Sequence, residues 1–371
     1  MSFITFELER WQSIWEHRVR YNLSESGVHA LSIEELLALA GEPPDDFLRA
    51  RMGYGESDGT RELRTAIAAI YDGVNPENVT VTIGSAEANF VACWTLLEPG
   101  DRVAVLTPTY MQIPGLVRNF GAAVTEFRLR PDRNWSLDPA DVERAVSPGT
   151  KLVVVTHPNN PTGHLLSAEA REAIVERSRA VGAWLLVDEV YQGAELSGRT
   201  TPSFWGSHDR TIVVSGLSKA YGLPGLRIGW LVSTPECKDA LLRRHDYTVI
   251  GAGPASDRLA TLALRSREAI LARTRAILNA NYPILESWLR GFGDLFDWRK
   301  PECGAITLLR YNHPMAACDL VECIRADYDI LLVPGDHFGL PGHLRLGFGG
   351  EPAELEEALA VLQKGVRVLL R

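Results

Sequence analysis

Between residues 79 and 232 the chain alternates short apolar runs with stretches of helical period. The runs predict strands at Val79–Ile83, Arg102–Thr107, 123–129, 152–156, 184–187, 211–214 and Ile228–Val232. Helical spacing falls between them at 85–97, 113–120 and Ala168–Val181. Several strands are valine-rich and continuously apolar rather than alternating. That pattern predicts a parallel or mostly parallel sheet covered on both faces. In such sheets functional groups gather in the crevice beyond the strand carboxyl ends.

After about residue 266 the texture changes. A long helix is predicted over 268–288, then strands at 305–309, 330–333 and 344–347. The chain closes on an amphipathic helix with Leu355, Leu359, Leu362, Val366 and Leu369 on one stripe. The expected division is a large domain over 45–265, with a small α+β domain built from 1–44 and 266–371.

Composition narrows the function. The chain has 371 residues, 46% hydrophobic and 23% charged, as expected of a globular enzyme. A net charge of −9 argues against nucleic acid or an anionic membrane as partner. No apolar run approaches the roughly 20 residues of a membrane span. Residues 1–20 mix acids, bases and tryptophans and read as an amphipathic arm or helix, not a secretory signal. Cys93, Cys237, Cys303, Cys318 and Cys323 form no CxxC pair, so they read as reduced thiols of a cytoplasmic protein, and no metal site is expected.

Candidate chemistry lies at the predicted strand ends. Gly84-Ser85-Ala86-Glu87 stands where a strand hands over to a helix, as a phosphate cradle or a helix cap. Tyr110 follows the next strand and offers a ring for stacking or for the rim of the core. In His157-Pro158-Asn159-Asn160-Pro161-Thr162-Gly163 two prolines set the loop and Asn160 offers an amide donor. Asp188 and Tyr191 share Asp188-Glu189-Val190-Tyr191; a buried carboxylate there needs a partner, unless it serves as a cap. Lys219 sits in Ser215-Gly216-Leu217-Ser218-Lys219, with Arg227 eight residues on as a phosphate-gripping guanidinium. A lysine amine attacks carbonyls once its pKa is tuned, although an exposed turn lysine would read the same way. Arg345, inside a predicted strand, calls for an anion, either a substrate carboxylate or an internal partner.

Together these residues resemble the fold-type I enzymes of pyridoxal 5′-phosphate (PLP), in the class I/II aminotransferase family, over nearly the whole chain and in the expected order. The resemblance implies a large domain with a mostly parallel sheet of the seven-stranded type plus a small α+β domain. It implies that Lys219 carries PLP as the internal aldimine and then moves the proton between Cα and C4′. Asp188 would bind the pyridine nitrogen, Asn160 and Tyr191 the 3′-oxygen, and Tyr110 the ring face. Ser85, Ala86, Ser218 and Arg227 would hold the phosphate, and Arg345 the substrate α-carboxylate. Tyr54, in Tyr-Gly-Glu-Ser-Asp-Gly, matches the tyrosine that reaches a neighbouring subunit's phosphate, which implies a homodimer with shared active sites.

One position departs from the family. Gly216 stands where Ser or Thr is usual, and Ser215 or Ser218 would have to replace the hydroxyl. The implied reaction is transamination between an L-amino acid and a 2-oxo acid. An alternative comes from Tyr21-Asn22-Leu23-Ser24-Glu25-Ser26-Gly27-Val28-His29 and the segment around Lys219, which look similar to capreomycidine-synthase-like enzymes. Those eliminate water from a hydroxylated arginine and cyclise the guanidine. Glu25, Gly27 and His29 would then line the substrate site, with Glu25 or His29 as guanidinium partner or acid/base, or merely ordering the arm. A third reading, a PLP-fold module without catalysis, is disfavoured because every nameable catalytic position is filled.

Overall fold

The computed structural model describes residues 3–370; Met1 and Ser2 of the expected arm lie outside the described residues. Eight strands form the larger sheet. Their spatial order is Val79–Ile83, Ile228–Val232, Thr211–Gly216, Trp184–Asp188, Thr150–Thr156, Arg102–Thr107, Ala123–Arg130 and Ser136–Leu137. Ile228–Val232 runs antiparallel to both neighbours, and two-residue Ser136–Leu137 is antiparallel at the edge. The remaining neighbours pair in parallel. The mostly parallel sheet is as expected, with a short eighth strand added at one edge.

Both faces of this sheet are core. Val103, Val105, Leu152, Val154, Leu186, Ile212 and Val214 pack in one buried cluster. The intervening Ala104, Leu106, Val153, Val155, Leu185 and Val187 pack in another. Successive side chains of a strand point to opposite faces, so a continuous apolar run fills both layers. Helices cover them with ordinary end chemistry. Ser167 caps Ala168–Val181 through Ala170 N, and Gly182 ends it in the left-handed region at φ 69°.

Topology puts one set of chain ends together. Thr107, Thr156, Asp188 and Gly216 end parallel neighbours on one edge of the sheet. Val79–Ile83 is separated from Thr211–Gly216 by the single reversed strand, so it points the same way and ends there too. Ile228 pairs with Ile83, which brings Arg227 to that edge from the opposite direction.

The smaller sheet is antiparallel, in the order Phe296–Trp298, Ile306–Tyr311, His343–Gly347 and Val333–Pro334. The strand expected over 330–333 divides. Ile330–Leu331 pairs in parallel with Tyr21–Asn22, while Val333–Pro334 joins the smaller sheet. Helices Arg267–Arg290, Ala317–Tyr328 and Pro352–Leu369 complete this part. The amino-terminal helix Glu7–Trp15 lies against it: Leu8 is buried with Val333 and Phe338, and Trp11 Nε1 donates to Leu332 O at 2.8 Å.

Candidate active site

A cavity of about 450 Å³ opens beyond the strand ends. Ser85, Ala86, Tyr110, Asn160, Asp188, Tyr191, Ser218, Lys219, Arg227, Arg345 and Glu25 all line it. Eleven positions spread over 320 residues of sequence thus converge on one space. Gly27 and His29 line an adjoining cavity of about 470 Å³, which shares Glu25, Ser218 and Pro224 with the first. His29 pairs there with Glu351 at 3.0 Å and Arg273 at 2.9 Å, so it stands apart from Lys219. Tyr54 lines neither space and is 90% exposed.

One wall of the first cavity is a tight backbone junction. Gly84 opens the helix Gly84–Leu96 at φ 75°, in the left-handed region. A Cβ on Gly84 would lie 2.5 Å from Arg227 Nη2, and a Cβ on Gly229 would lie 2.3 Å from Ser85 N. A side chain at Gly216 would meet Ile228 O at 3.0 Å and Gly229 Cα at 3.2 Å. A side chain there would need these backbone neighbours to give by a few tenths of an ångström, so the position favours glycine over the expected Ser or Thr. Of the two proposed substitutes, Ser218 lines the cavity, whereas Ser215 is buried with its hydroxyl toward Glu189 O. The helix start and the Arg227 guanidinium together present donors and positive charge, a setting suited to a phosphate.

Asp188 is 3% exposed. Its Oδ2 accepts from Asn89 Nδ2 at 2.9 Å and its Oδ1 from Val190 N at 3.1 Å. Burial pushes its carboxyl up, and these two donors offset part of the shift. No cation pairs with it among the described residues; a protonated ring nitrogen would complete the site. The Tyr191 hydroxyl donates to Ser26 Oγ at 2.9 Å. Tyr110 is fixed from the amino-terminal helix: its hydroxyl donates to Glu9 Oε1 at 2.6 Å and Phe6 packs edge-on at 5.1 Å.

Arg345 is 1% exposed yet meets only neutral acceptors. Nη1 donates to Asn160 Oδ1 at 3.1 Å and Nη2 to Ser24 O at 2.6 Å, while Nε is buried without a partner. Burial lowers its pKa. A buried guanidinium beside a cavity, with no carboxylate in ion-pair range among the described residues, is suited to an anionic ligand group. Because Asn160 uses its oxygen on Arg345, its amide nitrogen remains for the cavity.

Lys219 Nζ donates to Glu25 Oε1 at 2.7 Å. Burial alone would push the lysine down; Glu25 and Tyr191 outweigh it, and the net displacement is upward. The ammonium holds Glu25 down to about 2 against its own burial.

Several lining groups escaped the sequence reading. Glu9, Gln12 and Glu16 reach the cavity from the amino-terminal helix and its end. Their i, i+3, i+7 spacing marks one helical face, a signal present in the sequence. Asn89, the Asp188 partner, sits one turn inside the cradle helix and was also missed.

Comparison with known proteins gives a consistent picture. The family model for aminotransferase class I and II matches residues 44–362. Capreomycidine synthase of Streptomyces vinaceus is 32% identical over 366 residues, covering 96% of this chain and 92% of that protein. The crystal structure of a PLP-dependent aminotransferase from Streptococcus suis superposes with TM-score 0.94 at 33% identity, covering 99% of both chains. The PLP-dependent cyclase OrfR superposes with TM-score 0.92 at 30% identity, covering 100% of this chain and 98% of that one.

Proposed function

The chain belongs to the class I and II aminotransferase family, whose cofactor is PLP, and on that footing we propose that it is an aminotransferase passing the amino group of an L-amino acid to a 2-oxo acid. The observation that carries this reading is one cavity shared by Lys219, a cation-lacking buried Asp188 and a carboxylate-lacking buried Arg345.

The lining fits the cofactor. Asp188 would hold the pyridine nitrogen, Asn160 and Tyr191 the 3′-oxygen, and Tyr110 the ring face. Ser85, Ala86, Ser218 and Arg227 would hold the phosphate. Bound PLP supplies an electron sink for the pair left at Cα when its proton departs. Arg345 grips the α-carboxylate bidentately and so orients the Cα–H bond. Lys219 Nζ would be the group that takes that proton and, in transamination, gives it back. The domain limits read from the sequence, 45–265 against 1–44 with 266–371, put Arg345 on the smaller unit and Lys219 on the larger.

A second reading is elimination and cyclisation of a hydroxylated arginine. Glu25 favours it, because Glu9 and Glu16 line the same cavity and the three carboxylates suit a guanidinium. There Lys219 removes the Cα proton, the β-hydroxyl leaves as water, and a guanidine nitrogen closes on Cβ. The relatives named a capreomycidine synthase and a cyclase support this reading as much as the first.

We also propose a cytoplasmic homodimer with shared sites. Tyr54 stands out at 90% exposure, with Leu48, Met52, Tyr247 and Ile250 also exposed. The 55–57 and 251–252 backbones lie in contact, which sets the segment of Tyr54 beside that of Ile250, and exposed large apolar side chains of this kind suit a protein interface. All five cysteines are unbridged, as suits a reducing compartment.

The deciding experiment incubates the enzyme with a panel of amino acids, including arginine and hydroxyarginines, with and without a 2-oxo acid, and reads products by mass. Keto-acid formation that requires the acceptor supports transamination. Loss of one water without an acceptor rejects it in favour of cyclisation.

A further inference from the structure

We propose that Glu25 is a positioning residue for Lys219: its carboxylate fixes the lysine nitrogen and favours the ammonium form, and so sets the pH at which the amine becomes free to react. This rests on Lys219 being the cofactor lysine.

One oxygen carries the arrangement. Glu25 Oε1 accepts from Lys219 Nζ at 2.7 Å, from Ser26 N at 2.8 Å and from Gly27 N at 2.9 Å. The carboxylate is therefore anchored by its own loop before it meets the lysine. That loop is clamped in turn. Arg345 Nη2 and Gln12 Nε2 both donate to Ser24 O. A Cβ on Gly347 would come within 1.9 Å of Glu25 O, and one on Gly349 within 2.1 Å of Gly27 O. On the other side, Gly27 abuts Ser218 O and Lys219 Cα, at 3.1 and 3.6 Å from its missing Cβ. The backbone that carries Glu25 is thus held beside Lys219 by several packed neighbours, and the Ser26 and Gly27 N–H groups orient its carboxylate.

Tyr191, Arg345, Glu16, Glu9, Asp188 and Arg227 also line the cavity around the lysine, and of these Tyr191 and Arg345 act on it most strongly. Arg345 opposes the ammonium, and the carboxylate of Glu16 acts from a greater distance than Glu25. Among the described residues, Glu25 alone has a hydrogen bond to Nζ. A base oriented by a third group is a recurring device for activating side chains, and an opposite charge within hydrogen-bond reach raises a lysine's affinity for its proton. The amine then takes a proton from carbon more readily, but is free to attach cofactor only at higher pH.

The test mixes cofactor-free protein with PLP across a pH series, quenches with borohydride, and follows the adduct on the Lys219 peptide by mass. Glu25→Gln preserves an oxygen for the Ser26 and Gly27 N–H groups, and thermal unfolding checks that the fold is kept. The attachment profile of Glu25→Gln should move about 1–3 pH units lower. Below the midpoint that is roughly a tenfold faster attachment per unit. Glu25→Asp should move it in the same direction by less, and it serves as the test if the Gln variant does not fold. Profiles that coincide with the unaltered protein, with the adduct on Lys219, would overturn the Glu25 role. An unaltered protein whose adduct lies elsewhere would instead overturn the Lys219 reading.

Discussion

Arg345 Nη1 and Asn160 Oδ1 lie 3.1 Å apart, joining the smaller sheet to the loop that leaves the strand Thr150–Thr156 of the larger one. The bond does two things for the site. It aims the guanidinium into the cavity, and it consumes the amide oxygen so that the nitrogen is left for a ligand. Removing a buried, hydrogen-bonded charge typically costs 2–5 kcal/mol. Arg345→Ala should therefore lower kcat/KM for the amino acid on the order of 100-fold. Arg345→Lys should restore little, since a lysine cannot reproduce the planar fork. Steady-state kinetics on both variants, with PLP content measured alongside, is the check.

The glycine junction behind Ser85 predicts a graded response. Gly229→Ala drives a Cβ to 2.3 Å from Gly84 C and Ser85 N, backbone against backbone. It should destabilise the protein by roughly 1–3 kcal/mol or more and weaken PLP retention. Gly216→Ala, with its nearest contact at 3.0 Å, should cost less. Gly225→Ala meets nothing within 4 Å and should be near neutral. Thermal unfolding and PLP titration would rank the three.

Glu189 predicts a pH dependence. It is fully enclosed beside Asp188, hydrogen-bonded to Ser203 Oγ at 2.8 Å and Phe204 N at 2.7 Å. Burial nevertheless pushes its carboxyl up to about 7. A folded-state pKa above the unfolded value means that the folded protein binds the proton more tightly. Its contribution is then fully present below about pH 4 and lost as pH rises through about 7. Roughly 3 kcal/mol is at stake over that interval. Glu189→Gln should flatten this part of the stability curve and gain relative to the unaltered protein at pH 8. Denaturant unfolding at pH 5 and pH 8 measures both slopes.

The exposed face around Tyr54 predicts assembly. Sedimentation should report twice the chain mass, and a Leu48→Asp, Met52→Asp double variant should shift it toward one chain. Tyr54→Phe should keep the dimer but weaken PLP retention, as expected if its hydroxyl serves the partner's phosphate site. A monomeric unaltered protein would remove the shared-site proposal.

Much of this was legible in the sequence because local signals coincide with the architecture. Val103 to Leu106 and Leu152 to Val155 are continuously apolar since each residue faces one of two packed layers. Asp188 was visible because it directly follows such a run, and Ser85 and Lys219 because each lies within five residues of the end of a strand. Glu9 and Glu16 were not, since their helix is brought to the cavity by contacts distant in sequence, such as Leu8 packing on Val333 and Phe338 and Trp11 on Leu332, more than 300 residues away. Gly216 looked like a loss until the folded chain set Ile228 O and Gly229 Cα at 3.0 and 3.2 Å from where its Cβ would stand, a tight fit for any side chain. Glu25 and His29 were indistinguishable four positions apart. Only the folded loop sends one to Lys219 and the other to Arg273 and Glu351.

The central claim, that Lys219 is the cofactor lysine, is tested most directly by covalent trapping. The protein is loaded with PLP, reduced with borohydride, digested and mapped by mass, alongside Lys219→Ala. The account predicts one adduct, on Lys219, and none in the variant. An equal yield of adduct in Lys219→Ala, or an adduct on another lysine of the unaltered protein, would contradict it.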